Sequence, residues 1–252
     1  MAAKTLDEGL LGRVARLHHI DSYHVDAEAT VWRYLDRDKF DLFLQQEGAL
    51  WFSRPDCFDD IFEGSISEIN DRFMSYGPDI TPERLEEMKR VAEWYQQWTF
   101  INCWVCAEEE NALMWAAYAK DGVVLKSTFG RLVGALPSNC RVGPVQYVDF
   151  SKQLVTEGLQ DWHKRHYFRN EREVRARFQD VPAGANSLPD LTKSHPEKGR
   201  LVKVDPNVFL TAIVCRPYAL LEELERVRRD CVQVGIAVPV QPSTMSGVPK
   251  LV

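Results

Sequence analysis

The chain has 252 residues, of which 45% are hydrophobic and 27% are charged, and its net charge is −6. This composition is typical of a globular protein with a substantial core and excludes a strongly basic protein that binds nucleic acid through overall charge. No apolar run is long enough to span a bilayer, and residues 1–12 lack a signal-peptide layout. Because the six cysteines are scattered, we expect a cytoplasmic protein with reduced thiols and no membrane partner.

The chain opens with a predicted strand, helix and strand. Residues 1–28 are mixed and polar, which indicates a short helix or an ordered arm. Thr30–Leu35 is rich in β-branched and aromatic residues and favours a strand. Asp36–Gln46 has apolar residues at helical spacing and is followed closely by a glycine, and Ala49–Ser53 predicts the second strand.

The next stretch, Arg54–Gly64, contains proline, glycine and acidic residues, so we expect a surface loop. Two interpretations of this loop stay open. Its acidic residues could form one wall of a site; they are Asp59, Asp60 and Glu63. Alternatively, the loop is a capped turn that apolar side chains anchor to the core; they are Phe58, Ile61 and Phe62.

The rest of the chain predicts alternating helices and strands. Thr81 and Pro82 begin a helix that runs to about Trp98, and Thr99–Cys106 follows as a buried strand. Further helices are expected at 111–119, 131–136, 153–165 and 218–232, and further strands at 122–128, 141–150, 201–204, 210–215 and 236–240. A mobile loop is expected at about 181–200. These elements predict a single α+β domain with a mixed, mainly antiparallel sheet of six to eight strands and packed helices.

The pair Cys103-x-x-Cys106 invites a metal interpretation, which the predicted strand argues against. Residues three apart on a strand point to opposite faces, so the two thiols could not easily share a metal ion. No other cysteine pair has ligand spacing. We therefore expect core cysteines and no structural zinc.

The most informative stretch is Glu171–Phe178, which alternates like a strand. One face of this strand would carry Glu171, Glu173, Arg175 and Arg177, and the other would carry Val174, Ala176 and Phe178. The charged face could hold a polar substrate, or it could be a solvated or salt-bridged face. Glu173, expected in mid-strand, is the better-shielded carboxylate, and Arg175 should keep it ionised.

Other candidate residues surround this stretch. Trp115 and Tyr118 would share one face of a short helix, where they could stack on a ligand ring or pack in the core. Lys164 comes just before the central strand and could serve as a positive group in the site.

Several stretches together resemble the bacterial family named domain of unknown function 2971. They are Trp32–Tyr34, Leu50–Gly64, Cys103–Trp104, Leu113–Tyr118, His163–Arg175, Ile213–Pro217 and Pro239–Ser243. The sequence departs from the family pattern at Asp59-Asp-Ile61, where members more often have Asn or Asp followed by Asp-Pro. The resemblance implies a shared placement of certain residues, and it implies no reaction. Those residues are Asp60, Glu63, Trp115, Tyr118, Glu171, Glu173 and Arg175.

The layout also resembles the ADP-ribosyltransferase fold, in which strand, helix and strand open the chain and a late strand carries a catalytic glutamate. That resemblance implies Arg33 or Tyr34 on the opening strand, Ser53 on the second, and Glu171 or Glu173 on the late strand. In this family the glutamate holds the nicotinamide ribose of NAD. No complete set of the family's three motif residues can be placed without choosing among them.

Three hypotheses about function follow. The first is an NAD-using ADP-ribosyltransferase or NAD glycohydrolase, with a toxin or phage-defence role, in which Arg175 or Arg54 pairs with the pyrophosphate. The second is a metal-dependent nuclease or phosphodiesterase, in which acidic residues bind Mg²⁺ beside Lys164. The third is a non-enzymatic module that binds a nucleotide or a protein. The partners expected are a nucleotide-like small molecule and a protein or nucleic-acid target.

Overall fold

The computed structural model of the chain describes residues 25–76, 81–155, 158–183 and 190–247. The described residues form a nine-stranded mixed sheet, mainly antiparallel, with helices packed on both faces. The predicted α+β class is therefore confirmed, with more strands than the sequence indicated. No helix in the described part combines the length and apolarity that crossing a bilayer requires.

The strands of the main sheet are β1 (Thr30–Leu35), β2 (Leu50–Ser53), β3 (Thr99–Cys106), β4 (Val123–Thr128), β5 (Arg141–Pro144), β8 (Glu173–Gln179), β9 (Gly199–Val202), β10 (Leu210–Cys215) and β11 (Val240–Pro242). Their order is β11-β10-β4-β1-β3-β2-β9, and β8 pairs with both β3 and β5. Only the β10–β11 pair is parallel among the described pairs of this sheet. Two further strands, β6 (Gln146–Val148) and β7 (His163–Arg165), form a separate parallel pair.

The helices are α1 (Arg37–Gln45), α2 (Glu68–Tyr76), α3 (Pro82–Gln97), α4 (Ala112–Tyr118), α5 (Phe129–Ala135), α6 (Pro206–Phe209) and α7 (Leu221–Gln233). Side-chain caps define several of their starts. Asp36, Thr81, Asn111 and Thr128 each accept a hydrogen bond from a backbone N–H in the first turn of the following helix. Among the described residues, 3₁₀ helices occur at Pro55–Cys57, Gln160–Trp162, His166–Glu171 and Thr244–Ser246.

The two faces of the sheet bury cores of different size. Along β1, Val31 and Leu35 enter the larger apolar core, which also includes side chains of α1, α5 and α7. Trp32 and Tyr34 point the other way, into a smaller core beneath α4. This alternation follows from the two-residue period of a strand.

One edge of β3 is shared by two strands, which creates a fork in the sheet. β1 pairs with the end of β3 at Cys106, and β2 pairs with it at Ile101. Between these two pairings, hydrogen bonds from side chains take the place of backbone hydrogen bonds along this edge of β3. The Arg33 guanidinium donates to the carbonyl oxygens of Cys103 at 2.8 Å and Trp51 at 3.4 Å, and the Asn102 amide donates to Trp51 at 2.7 Å. Arg33 therefore holds the fork closed.

The helix expected at 153–165 is wrong. The described part of this stretch contains the 3₁₀ helix Gln160–Trp162 and strand β7. Gly158 has a φ of +75°, a left-handed conformation that ends an α-helix. Strand β7 can then pair with β6, which a continuous helix would prevent.

Other boundaries moved by a few residues. The strand expected at 141–150 is divided into β5 and β6, which have different partners, because Pro144 cannot continue a ladder. The strand expected at 201–204 is β9, two residues earlier, and the one expected at 236–240 is β11, which begins at Val240. The last helix begins at Leu221 because Tyr218 has a φ of +59°.

Two predictions fall partly outside the described residues. The N-terminal helix or arm concerns residues 1–28, of which only 25–28 are described. The expected mobile loop at about 181–200 includes 184–189, which also lie outside. Its described second half contacts the sheet, since His195 is buried against Trp98 and Phe100.

Candidate functional site

Strand β8 carries the charged face that its sequence predicted. Val174 and Ala176 point into the larger core, while Glu173, Arg175 and Arg177 share the opposite face. Glu173 is the first residue of the strand, so its expected mid-strand position is wrong. Glu171 lies outside the strand, at the end of the preceding 3₁₀ helix.

Five residues from distant parts of the chain form one group, which we name the charged cluster: Glu63, Lys164, Glu171, Glu173 and Arg175. The Lys164 ammonium is at its centre. Its Nζ lies 3.2 Å from Glu63 Oε1, 2.6 Å from Glu171 Oε2 and 3.3 Å from Glu173 Oε2. Three carboxylates therefore converge on a single cation.

Arg175 is the second cation of the charged cluster, and each of its nitrogen atoms already donates. Its Nε donates to Glu173 Oε1 at 2.6 Å, and its Nη2 donates to Glu63 Oε2 at 2.7 Å. Its Nη1 donates to the main-chain oxygen of Asp161 at 2.5 Å. The side chain is only 1% exposed, so Arg175 offers nothing to a pyrophosphate.

The charges of the cluster hold Glu173 and Lys164 ionised. Burial by itself would raise the pKa of Glu173, but the charges of Arg175 and Lys164 lower it to about 2. Burial would likewise lower the pKa of Lys164, and the carboxylates, Glu173 foremost, raise it above its usual range. Three carboxylates against two cations leave one net negative charge, which suits a ligand with positive charge.

Glu171 is the most accessible carboxylate of the charged cluster. Its side chain is 15% exposed, against 5% for Glu173 and 3% for Glu63. The half-exposed Tyr118 donates its hydroxyl proton to Glu171 Oε1 at 2.9 Å. Burial and the neighbouring Glu171 charge raise the pKa of Tyr118, so its hydroxyl stays a donor. The cluster therefore opens toward solvent on the side of α4.

The loop after β2 supports the first interpretation of its sequence, one wall of a site, and only the capped turn of the second. Glu63 is buried and belongs to the charged cluster. Asp60 accepts two hydrogen bonds from Arg165, at 2.7 and 3.2 Å, and also caps the turn by accepting from the Phe62 N–H. Ile61 and Phe62 do not anchor the loop in the core, since they are 86% and 38% exposed. They form part of an apolar rim beside the cluster.

Several predicted site residues lie elsewhere. Arg33 holds the strand fork, and Ser53 accepts a hydrogen bond from the Trp51 indole at 2.9 Å. Arg54 is paired with Asp56 and also donates to two main-chain oxygens of the segment after residue 190. The structure therefore gives Arg54 a role in holding two loops together.

Two further candidates, Tyr34 on β1 and Trp115 on α4, also belong to the core. Tyr34 and Trp115 are in edge-to-face contact, with ring centroids 5.4 Å apart. The Tyr34 hydroxyl accepts from the Asn111 N–H, and the Trp115 indole donates to Glu110. Burial raises the pKa of Tyr34 to about 12. Of the aromatic pair predicted on α4, only Tyr118 reaches the charged cluster.

No sequence pattern pointed to three residues that complete the site. The Tyr147 hydroxyl accepts from the Glu173 N–H at 2.8 Å, and the buried Asp161 pairs with Arg177. The Cys103 thiol lies beside Glu173, and burial, together with the Glu173 charge, raises its pKa well above its usual range. No spacing pattern could link these residues, because they come from separate elements.

Among the described residues, there is no group of three or more His, Cys, Asp or Glu side chains arranged to hold a metal ion. The physical reason is visible at the charged cluster, where the Lys164 ammonium occupies the point on which three carboxylates converge. Cys103 and Cys106 are free thiols.

A large groove of about 1380 Å³ lies beside the charged cluster. It is lined by partly exposed apolar side chains of α3, including Leu85 and Met88, and by the Asp161–Arg177 pair. None of the five cluster residues lines it. The groove is therefore a neighbour of the cluster and separate from it.

Comparison of the chain with protein-family models, with curated proteins and with solved structures found no match. The two family resemblances remain predictions, and any function has to be argued from the site itself.

Proposed function

We propose that the protein is an enzyme that breaks the N-glycosidic bond of NAD, as a glycohydrolase or an ADP-ribosyltransferase, with Glu171 facing the substrate. The observation that carries this proposal is the position of Glu171. It is the accessible carboxylate of a buried cluster with one net negative charge, and it is held there by Tyr118 and Lys164.

The chemistry needs little from the protein beyond electrostatics. When the bond between the ribose and nicotinamide breaks, its electron pair leaves with the ring nitrogen, so nicotinamide departs neutral. Positive charge develops on the ribose, and a carboxylate next to the anomeric carbon stabilises it. Water or an acceptor group then attacks that carbon and releases its proton to solvent. Glu171 is the group assigned to this stabilisation.

The other cluster members position Glu171. Lys164 binds Glu171 and Glu173 together, and Glu173 in turn is fixed by Arg175. Glu173 has its oxygens occupied by these cations, so we assign it a positioning role. Exposed aromatic rings at the rim, Tyr118 and Phe62, offer surfaces on which a nicotinamide ring could pack.

The test is a nicotinamide-release assay on the purified protein with NAD, beside thermal melts with and without NAD. Glu171→Gln should reduce the rate by roughly 10²–10³, the scale for one preorganised electrostatic group. Its cost in stability should be about 1–2 kcal/mol, because Lys164 keeps two other carboxylates. Glu225→Gln is the matched control, since Glu225 forms an exposed ion pair with Arg228 on α7.

The proposal fails if the wild-type protein releases no nicotinamide and NAD does not shift its melting temperature. Mg²⁺-dependent loss of DNA or RNA in the same preparation would favour a phosphodiesterase instead. A melting shift with NAD and no turnover would indicate a nucleotide-binding module.

A further inference from the structure

The segment that leads into Glu171 has an unusual backbone. Residues His166–Glu171 form a 3₁₀ helix of six residues, although such helices rarely exceed three or four residues because their hydrogen-bond geometry is poor. The next residue, Arg172, has a φ of +43°, a left-handed conformation that non-glycine residues adopt at an energetic cost. Backbone strain of this kind often marks functional segments.

Two side chains of this segment also have features that a purely structural element does not need. Tyr167 is 73% exposed, and its ring lies 4.1 Å from that of His166. His166 Nδ1 is buried without a hydrogen-bond partner in the described part of the chain. Such orphan atoms are rare in folded proteins and call for an explanation. We infer that the segment is kept for binding.

Charge separates this segment from the charged cluster that it adjoins. The nearby cations Lys164, Arg165 and Arg175 all have carboxylate partners. Arg169 and Arg172 are exposed, and neither forms an ion pair with any described residue. Two unpaired guanidinium groups thus lie within three residues of Glu171, at the edge of a cluster that is net negative.

We propose that His166–Arg172 is a binding site for the adenosine diphosphate part of the substrate, which deepens the proposed function and rests on it. Arg169 and Arg172 would bind the diphosphate, since guanidinium groups match phosphate oxygens in charge and geometry. Tyr167 presents an open ring face for the adenine. NAD carries a cationic nicotinamide and an anionic diphosphate, and the segment offers a carboxylate at one end and two guanidinium groups beside it.

The arginines that the sequence suggested as partners of the pyrophosphate are not available for this role. The guanidinium nitrogens of Arg175 all donate already, two of them to carboxylates of the charged cluster and one to the main-chain oxygen of Asp161. Those of Arg54 donate to Asp56 and to a main-chain oxygen. Arg33 donates to two carbonyls in the strand fork. The pyrophosphate partners that the sequence suggested are therefore occupied.

The test measures ADP binding by isothermal titration calorimetry, because ADP contains the diphosphate and adenine and lacks nicotinamide. Wild-type protein should bind ADP in competition with NAD. The double variant Arg169→Gln and Arg172→Gln should raise the dissociation constant at least about tenfold, since charge-assisted bonds to phosphate are lost. Glutamine and arginine are both disfavoured in the left-handed conformation of residue 172, so this substitution should change the backbone little. The control is Arg131→Gln, an exposed arginine on α5, which should leave ADP affinity unchanged.

The outcomes separate this inference from the proposed function. ADP binding that disappears in the double variant, without nicotinamide release by the wild type, supports the nucleotide site and rejects the reaction. Nicotinamide release by the double variant with an unchanged KM for NAD overturns the site and keeps the reaction. The site is also overturned if ADP does not bind the wild type, or if a single-stranded oligonucleotide binds at these arginines and ADP does not displace it.

Discussion

The two faces of strand β8 are buried to the same extent by opposite means. On one face, Val174 and Ala176 are 1% and 0% exposed and contact only a hydrocarbon core. On the other, Glu173 and Arg175 are 5% and 1% exposed and are held by ion pairs. Hydrophobic burial has no direction, so the first face needs only the right volume. The second is tolerated only while each charge keeps its partner.

The comparison predicts that the charged face is the more fragile one. Arg175→Met should lower the free energy of unfolding by about 3–5 kcal/mol, because Glu173 and Glu63 would lose the more deeply buried of the two cations that they share. Val174→Ala, its neighbour on the apolar face, should cost about 1–2 kcal/mol, since it removes two methyl groups. Urea denaturation of both variants measures the difference. Equal losses of unfolding free energy in the two variants would mean that the buried ion pairs contribute no more to stability than apolar packing of the same volume.

Of the two faces of β8, acid should destabilise only the charged one. The folded pKa of Glu173 is lowered to about 2, below the usual value of about 4.3 for an unfolded glutamate. Its contribution is therefore complete above pH 5 and is lost as pH falls from about 5 toward 2, by about 3 kcal/mol at most.

Urea denaturation at pH 6, 4 and 3 tests this dependence. The free energy of unfolding should change less with pH in Glu173→Gln than in the wild type. Val174→Ala should keep the wild-type pH dependence, because this substitution changes no charge. Because two cations are bound to the Glu173 carboxylate, Glu173→Gln should also clearly lower the free energy of unfolding at pH 7. An identical pH slope in Glu173→Gln and wild type would contradict the assigned ion pairs.

The smallest effect is expected at the open edge of the charged cluster. Tyr118→Phe removes one hydrogen bond to Glu171 from a half-exposed hydroxyl, so stability should change by about 1 kcal/mol or less. If Glu171 faces the substrate, the same change should reduce nicotinamide release several-fold. Tyr218→Phe, at an exposed tyrosine on another surface, is the control. A large stability loss in Tyr118→Phe would place this hydroxyl inside the structural network.

Local pattern was sufficient for most of the elements. The alternation of β1, β3 and β10 and the capped start of α3 all appear where the sequence predicted them. These features depend on side-chain period and on capping, which act over a few residues. The stretch 153–165 failed because its apolar residues resemble a helix pattern, while Gly158 adopts a left-handed conformation and β7 pairs with β6. That pairing is a tertiary contact and overrode the local preference.

For the site, the sequence by itself determined which side chains of β8 share a face and named Glu63, Lys164 and Tyr118 as candidates. Only the tertiary structure decided that this face is buried and that Lys164 joins three carboxylates. The Arg175 contact with Glu63 spans 112 residues. The tertiary structure also gave structural roles to four predicted site residues: Arg33, Ser53, Arg54 and Trp115. The physical reason is that strand alternation sets the direction of a side chain, while the elements that pack over it decide whether its charge meets water or a partner.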